Sequence, residues 1–168
     1  GANSLKLPGE LEMIVAAGVR LADEARKRAG REDAFIALDM GPTGKLLQPM
    51  GDLPFERAVQ LYGEIARIGT EAGADLILIE TMSDSCEAKA AVLAAKENCD
   101  LPIFASNAYG EDGKLMTGAS PSAMVAMLEG LGVDALGANC SLGPAQMKGI
   151  VEEYLRTASV PVLLKPNA

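Results

Sequence analysis

Five short apolar runs, residues 34–38, 75–80, 101–106, 134–139 and 160–165, recur along the chain at intervals of roughly 25 to 40 residues. None alternates apolar with polar residues, as a strand with one face in water would. Near-continuous apolar strands are what a parallel sheet under a layer of helices requires. The loops after these runs are long, whereas Ala74 and Val133 stand in short connections before them. That asymmetry suits a β/α barrel, which builds its site at the carboxyl ends of its strands. A doubly wound sheet is the alternative, but no Gly-x-Gly-x-x-Gly follows a strand to mark a nucleotide site. A full barrel takes eight units and about 250 residues. The expectation is therefore α/β: a partial (β/α)8 TIM barrel of about five parallel strands with covering helices. Residues 1–168 would form a single unit lacking the barrel's first two strands and its eighth.

Helical spacing supports the alternation. Leu11, Ile14, Val15, Val19, Leu21, Ala22 and Ala25 line one face, with Gly30 as a stop. Pro54 opens a second helix, which carries Ala58, Leu61, Tyr62, Ile65 and Ala66 and stops at Gly73. Asp84 and Glu87 have capping-box spacing before an Ala-rich helix reaching about Asn98. Ser120-Pro121 starts a fourth helix ending near Gly132, and Pro144 starts a fifth that runs to about Thr157. Residues 41–51 hold too much Gly and Pro to be regular, and Glu111-Asp112-Gly113 reads as a small hairpin.

The chemistry is bounded by what is missing. With no histidine, this chain alone builds no Ser-His-Asp triad, Cys-His pair or His-ligated metal site. A net charge of −8 argues against a nucleic-acid partner, and no apolar run is long enough to span a membrane. The cluster Arg26, Lys27, Arg28 and Arg31 sits at a helix end, where it complements the dipole. Three widely spaced cysteines, Cys86, Cys99 and Cys140, suggest a reducing cytoplasm rather than a disulfide framework.

Two strand ends stand out. Residues 134–139 deliver Cys140 to a Gly143-Pro144 turn that opens a helix, and residues 76–79 deliver Glu80. Cys140 is either a buried free thiol of the ordinary kind or a reactive group at the barrel mouth. Glu80 is either a strand-end charge reaching water or a carboxylate held for a substrate amine. Cys99 precedes a strand and falls on the opposite face, and Cys86 reads as packing. Thr81, Ser83 and Asp84 read as turn and cap, Lys45 as solvated, and Met116, Met124, Met127 and Met147 as packing. Asp39 either reaches the mouth or simply ends a strand.

Four motifs in order, residues 41–47 (GPTGKLL), 80–84 (ETMSD), 139–144 (NCSLGP) and 166–168 (PNA), resemble the homocysteine S-methyltransferase family. They are most similar to its branch at the N-terminus of cobalamin-dependent methionine synthases. Gly1-Ala2-Asn3 followed by Leu5-Lys6-Leu7 resembles that branch's segment after its second strand. The resemblance implies a barrel in which three cysteine thiolates hold zinc, and Cys140 matches the first. The other two, an adjacent Cys-Cys pair, would follow Ala168, and an acidic-Gly-Gly substrate loop would precede Gly1. Glu80 matches the carboxylate for the homocysteine amino group, and Asn167 lies in the substrate segment. Residues 106–109 (SNAY) depart from the family's usual Ser-Met-Thr-Phe, and Cys86 stands where an aliphatic is usual.

The implied reaction moves a methyl group onto the thiol of homocysteine to form methionine. A free thiol has a pKa of about 8.5 and is mostly protonated at neutral pH, so zinc would favour the thiolate. Methylcobalamin would be the donor, carried by another domain, with cobalamin-binding and folate-binding domains as partners. Betaine or S-methylmethionine as donor, or a non-catalytic half-barrel remnant, are the alternatives. In a barrel of another kind, such as an aldolase, Lys165 would be the candidate Schiff-base lysine. Residues 1–168 alone are expected to bind no tight zinc, to be inactive, and to self-associate through open edges.

Overall fold

A computed structural model describes residues 10–168. The segment 1–7 likened above to the stretch after a second strand lies outside the described residues. The elements run α1 (Glu10–Arg28), β1 (Ala37–Met40), α2 (Phe55–Glu71), β2 (Leu76–Met82), α3 (Ser85–Asn98), β3 (Ile103–Asn107), α4 (Pro121–Gly130), β4 (Ala135–Asn139), α5 (Pro144–Thr157) and β5 (Val162–Lys165). All strand pairs are parallel, and spatial order equals chain order, β1-β2-β3-β4-β5. A doubly wound sheet reverses its order at a switch point; this sheet never does. It is an open, partial β/α barrel. Among the described residues no helix is long and apolar enough to cross a membrane.

Local chemistry fixes the element ends. Asp84 caps α3 by accepting from the Cys86 N–H at 2.8 Å, and Ser120 caps α4 through the Ala123 N–H. Gly143 precedes Pro144 in α5, and its N–H donates to Gln146 Oε1 at 3.0 Å. At the opposite end of the sheet, two aspartates play the same part. Asp75 accepts from the Ile36 N–H at 2.7 Å and Asp134 from the Ile103 N–H at 2.8 Å. Each ties the start of one strand to its neighbour. Gly73 (φ 99) and Gly132 (φ 74) make the tight left-handed turns between helix and strand that a Cβ would strain.

Several sequence expectations shift by a few residues for identifiable reasons. The first strand starts at Ala37 rather than residue 34, because the Ile36 N–H goes to Asp75 and Phe35 stands 80% exposed. Pro102 and Pro161 lack N–H groups, so β3 and β5 begin just after them. β2 runs past Glu80 to Met82, with an irregular register between Ile79 and Met82. The expected hairpin at 111–113 is only a turn, closed by the Gly110 N–H donating to Lys114 O at 2.9 Å. Glu87 does not complete a capping box. It is buried and accepts from the Thr43 N–H (2.7 Å), the Thr43 hydroxyl (2.6 Å) and the Tyr62 hydroxyl (3.0 Å). Three donors in a dry site outcompete the single backbone N–H of a capping box. They pin the loop after β1 to the start of α3, and Leu47, Leu53, Ala58 and Ala90 form a small core beneath that loop.

The main core lies between sheet and helices. Leu38, Met40, Ile77, Ile79, Ile103, Ala105, Leu136 and Ala138 are buried there against Tyr62, Ala66, Ala91, Val92 and Leu128. The alternate positions Leu76, Leu78, Glu80 and Phe104 are only half-buried, because they face the open interior of the barrel. Tyr154 on α5 donates to Gly137 O at 2.9 Å and accepts from Tyr109 at 2.6 Å, with the two rings edge to face. This anchors β4 from its helix side.

α1 buries less than its pattern suggests. Only Val19 is fully buried, and Ile14 and Leu21 are 47% and 60% exposed. The helix packs on α2 beside β1, and among the described residues β1 has a neighbour on one side only. β5 is likewise an edge. Unpaired strand edges beside half-exposed apolar side chains invite pairing with another chain. Light scattering on the isolated chain at micromolar concentration should therefore read a species larger than a monomer. A stable monomer that unfolds cooperatively would contradict this.

Candidate active site

The carboxyl ends of β2, β4 and β5 converge. Asn139, the last residue of β4, lies opposite Lys165, the last residue of β5. The Cys140 N–H donates to Lys165 O at 3.0 Å, so the cysteine is held directly over that pair. Cys140 (φ 57) and Ser141 (φ 59) both adopt the left-handed conformation. The chain thereby turns sharply off the strand and leaves the thiol half-buried at the mouth. Asn167 reaches the same place through its backbone, its N–H donating to Leu142 O at 3.0 Å.

Glu80 sits on β2 and its carboxylate is ion-paired across the mouth with the Lys165 ammonium. Asp39 on β1 joins them. Burial, then the Glu80 charge, push its carboxyl above the ordinary range, and Lys165 partly offsets the rise. Two carboxylates thus share one cation. Beside the Cys140 turn lies a cleft of about 480 Å³ lined by Ser83, Tyr109, Glu111, Lys114, Ser141 and Leu142.

Asn139 links these parts. Its side chain is 1% exposed. Its Oδ1 accepts from the Thr81 N–H at 2.9 Å and from the Ser106 hydroxyl at 2.6 Å. Its Nδ2 donates to Thr81 Oγ1 at 2.7 Å and to Cys140 Sγ at 3.1 Å. Thr81 has φ 64, a conformation costly for a β-branched residue.

The structure brings together Cys140, Glu80 and Asn167 and resolves Asp39 toward the mouth. It leaves Cys99 at the far end of the sheet, donating to Ala95 O. Cys86 is exposed rather than packed, because the second position of α3 faces outward while Ala88, Ala90 and Ala91 fill the interior. Asp84 is a cap as expected, but Thr81 is not a turn residue; it is a partner of Asn139. Lys45 pairs at the surface with Asp52. Sequence reasoning gave no role to Asn139, and gave Lys165 one only for a barrel of another kind, as a Schiff-base lysine. The signal was present: each is the polar end of an otherwise apolar run, at matched positions of neighbouring strands. Among the described residues no group of three His, Cys, Asp or Glu side chains is placed to hold a metal ion. Cys140 fits a single thiolate ligand: half-buried, on a fixed backbone, with an amide N–H directed at its sulfur.

Residues 2–168 match the family model described as Homocysteine S-methyltransferase. The chain is 34% identical over 158 residues to the methionine synthase of Mycobacterium tuberculosis, covering 89% of this chain and 13% of that protein. To the methionine synthase of Mycobacterium leprae it is 32% identical over 154 residues, covering 89% and 12%. It thus spans only a small part of those relatives. Among solved structures, the apo form of the homocysteine methyltransferase MmuM of Escherichia coli superposes with a TM-score of 0.83 at 21% identity, over 97% of this chain and 64% of that one. Its metallated form gives 0.75 at 22%, over 94% and 58%. At such identity the likeness establishes the fold.

Proposed function

Because the chain belongs to the homocysteine S-methyltransferase family, we propose that its strand ends hold homocysteine while a methyl group is transferred to the substrate sulfur, giving methionine. The observation that carries this reading is the convergence of the Cys140 thiol and the Glu80 carboxylate on one mouth, with a primary ammonium already seated on Glu80. Lys165 stands there in for the α-ammonium of an amino acid. Substrate binding then exchanges one ammonium for another on the same carboxylate.

Cys140 is the residue that would hold zinc, as one thiolate of its ligand set. Zinc held there would favour the thiolate form of a substrate thiol coordinated to it. The chain's own residues do the rest. Glu80 fixes the amino end of the substrate, and the Asn167 segment closes over the Cys140 turn through Leu142. The substrate sulfur is thereby aimed out of the mouth, where the donor arrives. The donor is methylcobalamin, presented by another domain of a larger protein that also carries a folate-binding domain. The likeness of residues 41–47, 80–84, 139–144 and 166–168 to cobalamin-dependent methionine synthases supports this donor over betaine or S-methylmethionine, and three free thiols suit a cytoplasmic setting.

Glu80→Gln tests the substrate assignment. A charge-assisted contact is worth about 1.5–3 kcal/mol. Homocysteine affinity of the full-length protein, measured by calorimetry, should therefore fall roughly ten- to a hundred-fold, with zinc content retained. Unchanged affinity would leave Glu80 as no more than the partner of Lys165.

A further inference from the structure

The carboxamide of Asn139 has two donor hydrogens and two acceptor positions, and all four are used at once. Two of the bonds go to Thr81 on β2 and one to Cys140 after β4. These strands are not neighbours, since β3 lies between them, and the fourth bond, from Ser106, is to β3 itself. Both Thr81 and Cys140 hold left-handed backbone conformations that neither residue type favours. Such conformations persist only where the surroundings over-determine them. Thr81 directly follows Glu80 in β2, so whatever fixes Thr81 fixes the direction in which the Glu80 side chain leaves the sheet.

We propose that Asn139 is a positioning residue that ties the Glu80 strand end to the Cys140 sulfur, so that amine recognition and metal binding share one support. This rests on the reading of Glu80 and Cys140 given above. The two halves of the clamp are chemically separable. In Asn139→Asp, carboxylate oxygens still accept from the Thr81 N–H and the Ser106 hydroxyl, and the Thr81 hydroxyl rotates to donate. The sulfur alone loses its donor and gains a like charge beside it. In Asn139→Ala both halves go, and Thr81 is free to relax from its left-handed conformation.

The experiment uses the full-length protein, with folding of each variant checked by circular dichroism. Zinc affinity is read by competition with a chromogenic chelator. Amine recognition is read as the ratio of affinities for homocysteine and for 4-mercaptobutanoate, which has the same thiol and carboxylate but no amino group. Asn139→Asp should weaken zinc by about ten- to a hundred-fold, as loss of a partner to a metal ligand typically does, and keep the wild-type ratio. Asn139→Ala should weaken zinc similarly and bring the ratio close to one. A merely space-filling Asn139 would lower the melting temperature in Asn139→Ala, keep zinc affinity in the near-isosteric Asn139→Asp, and leave the ratio alone in both. Zinc affinity of Asn139→Asp within twofold of wild type overturns the sulfur half, and an unchanged ratio in folded Asn139→Ala overturns the amine half. Should Asn139→Ala fail to fold, a collapsed ratio in Asn139→Asp would itself contradict the proposal. Wild-type protein that binds zinc but not homocysteine refutes the substrate reading alone, and the Asn139→Asp zinc comparison still decides the sulfur contact. Wild-type protein that holds no zinc ends both.

Discussion

Full-length protein carrying Cys140→Ala should fall from one equivalent of zinc to less than about a tenth, and lose methyl transfer with it. The fold should survive. The Cys140 side chain is half-buried, its hydrogen-bond partner is the Asn139 amide, and the strand before it is anchored by Tyr154 and by pairing with β5. Cys99→Ala supplies the comparison. That thiol lies at the far end of the sheet, so its loss should leave zinc content intact. Full zinc content in the Cys140 variant, by atomic absorption after dialysis, would end the assignment of Cys140 as a ligand.

Gly137→Ala should be the most destabilising single substitution in the sheet. A Cβ at this position would overlap the Leu163 carbonyl oxygen, and would lie 2.7 Å from its carbon and 2.9 Å from its nitrogen. All three are backbone atoms of β5, so no side chain can rotate aside. β4 cannot retreat the other way, because β3 is paired along its far side with Ser106 opposite Gly137. Overpacking of this kind costs about 3 kcal/mol or more, which at this chain size lowers the melting temperature by roughly 6–12 °C. Separation of β5 also carries the Asn167 segment away from the Cys140 turn, so homocysteine binding should fall with stability. A melting temperature within about 2 °C of wild type would show that β4 and β5 do not approach this closely.

The apolar runs and the helix caps made the alternation of strands and helices legible, because each depends on neighbours in sequence. Asp84, Ser120 and Pro144 acted where their spacing placed them. What escaped were residues whose meaning depends on a distant partner. Glu87 has the spacing of a cap but lies buried under Thr43 and Tyr62, from another loop and another helix. Thr81 looked like a turn residue, and only the sheet order brings Asn139 within reach of it. Glu80 was legible as a carboxylate at a strand end, but not as the partner of Lys165, which stands three strands further along the order. α1 was legible as a helix and misjudged in depth, since spacing reveals an apolar face but not whether anything covers it.

Strand order that equals chain order also sets a sequence in time. Each strand finds its neighbour already made as the chain leaves the ribosome, so the sheet and its helix-side core can grow by accretion with short loop closures. The contacts at the mouth obey another clock. Thr81 waits for a residue 58 positions later, and Glu80 for one 85 positions later. Until β4 and β5 dock, nothing holds Thr81 in its left-handed conformation and nothing balances the carboxylates of Asp39 and Glu80. A nascent chain can therefore have much of this core before the contacts at the mouth form, because those wait for β4 and β5.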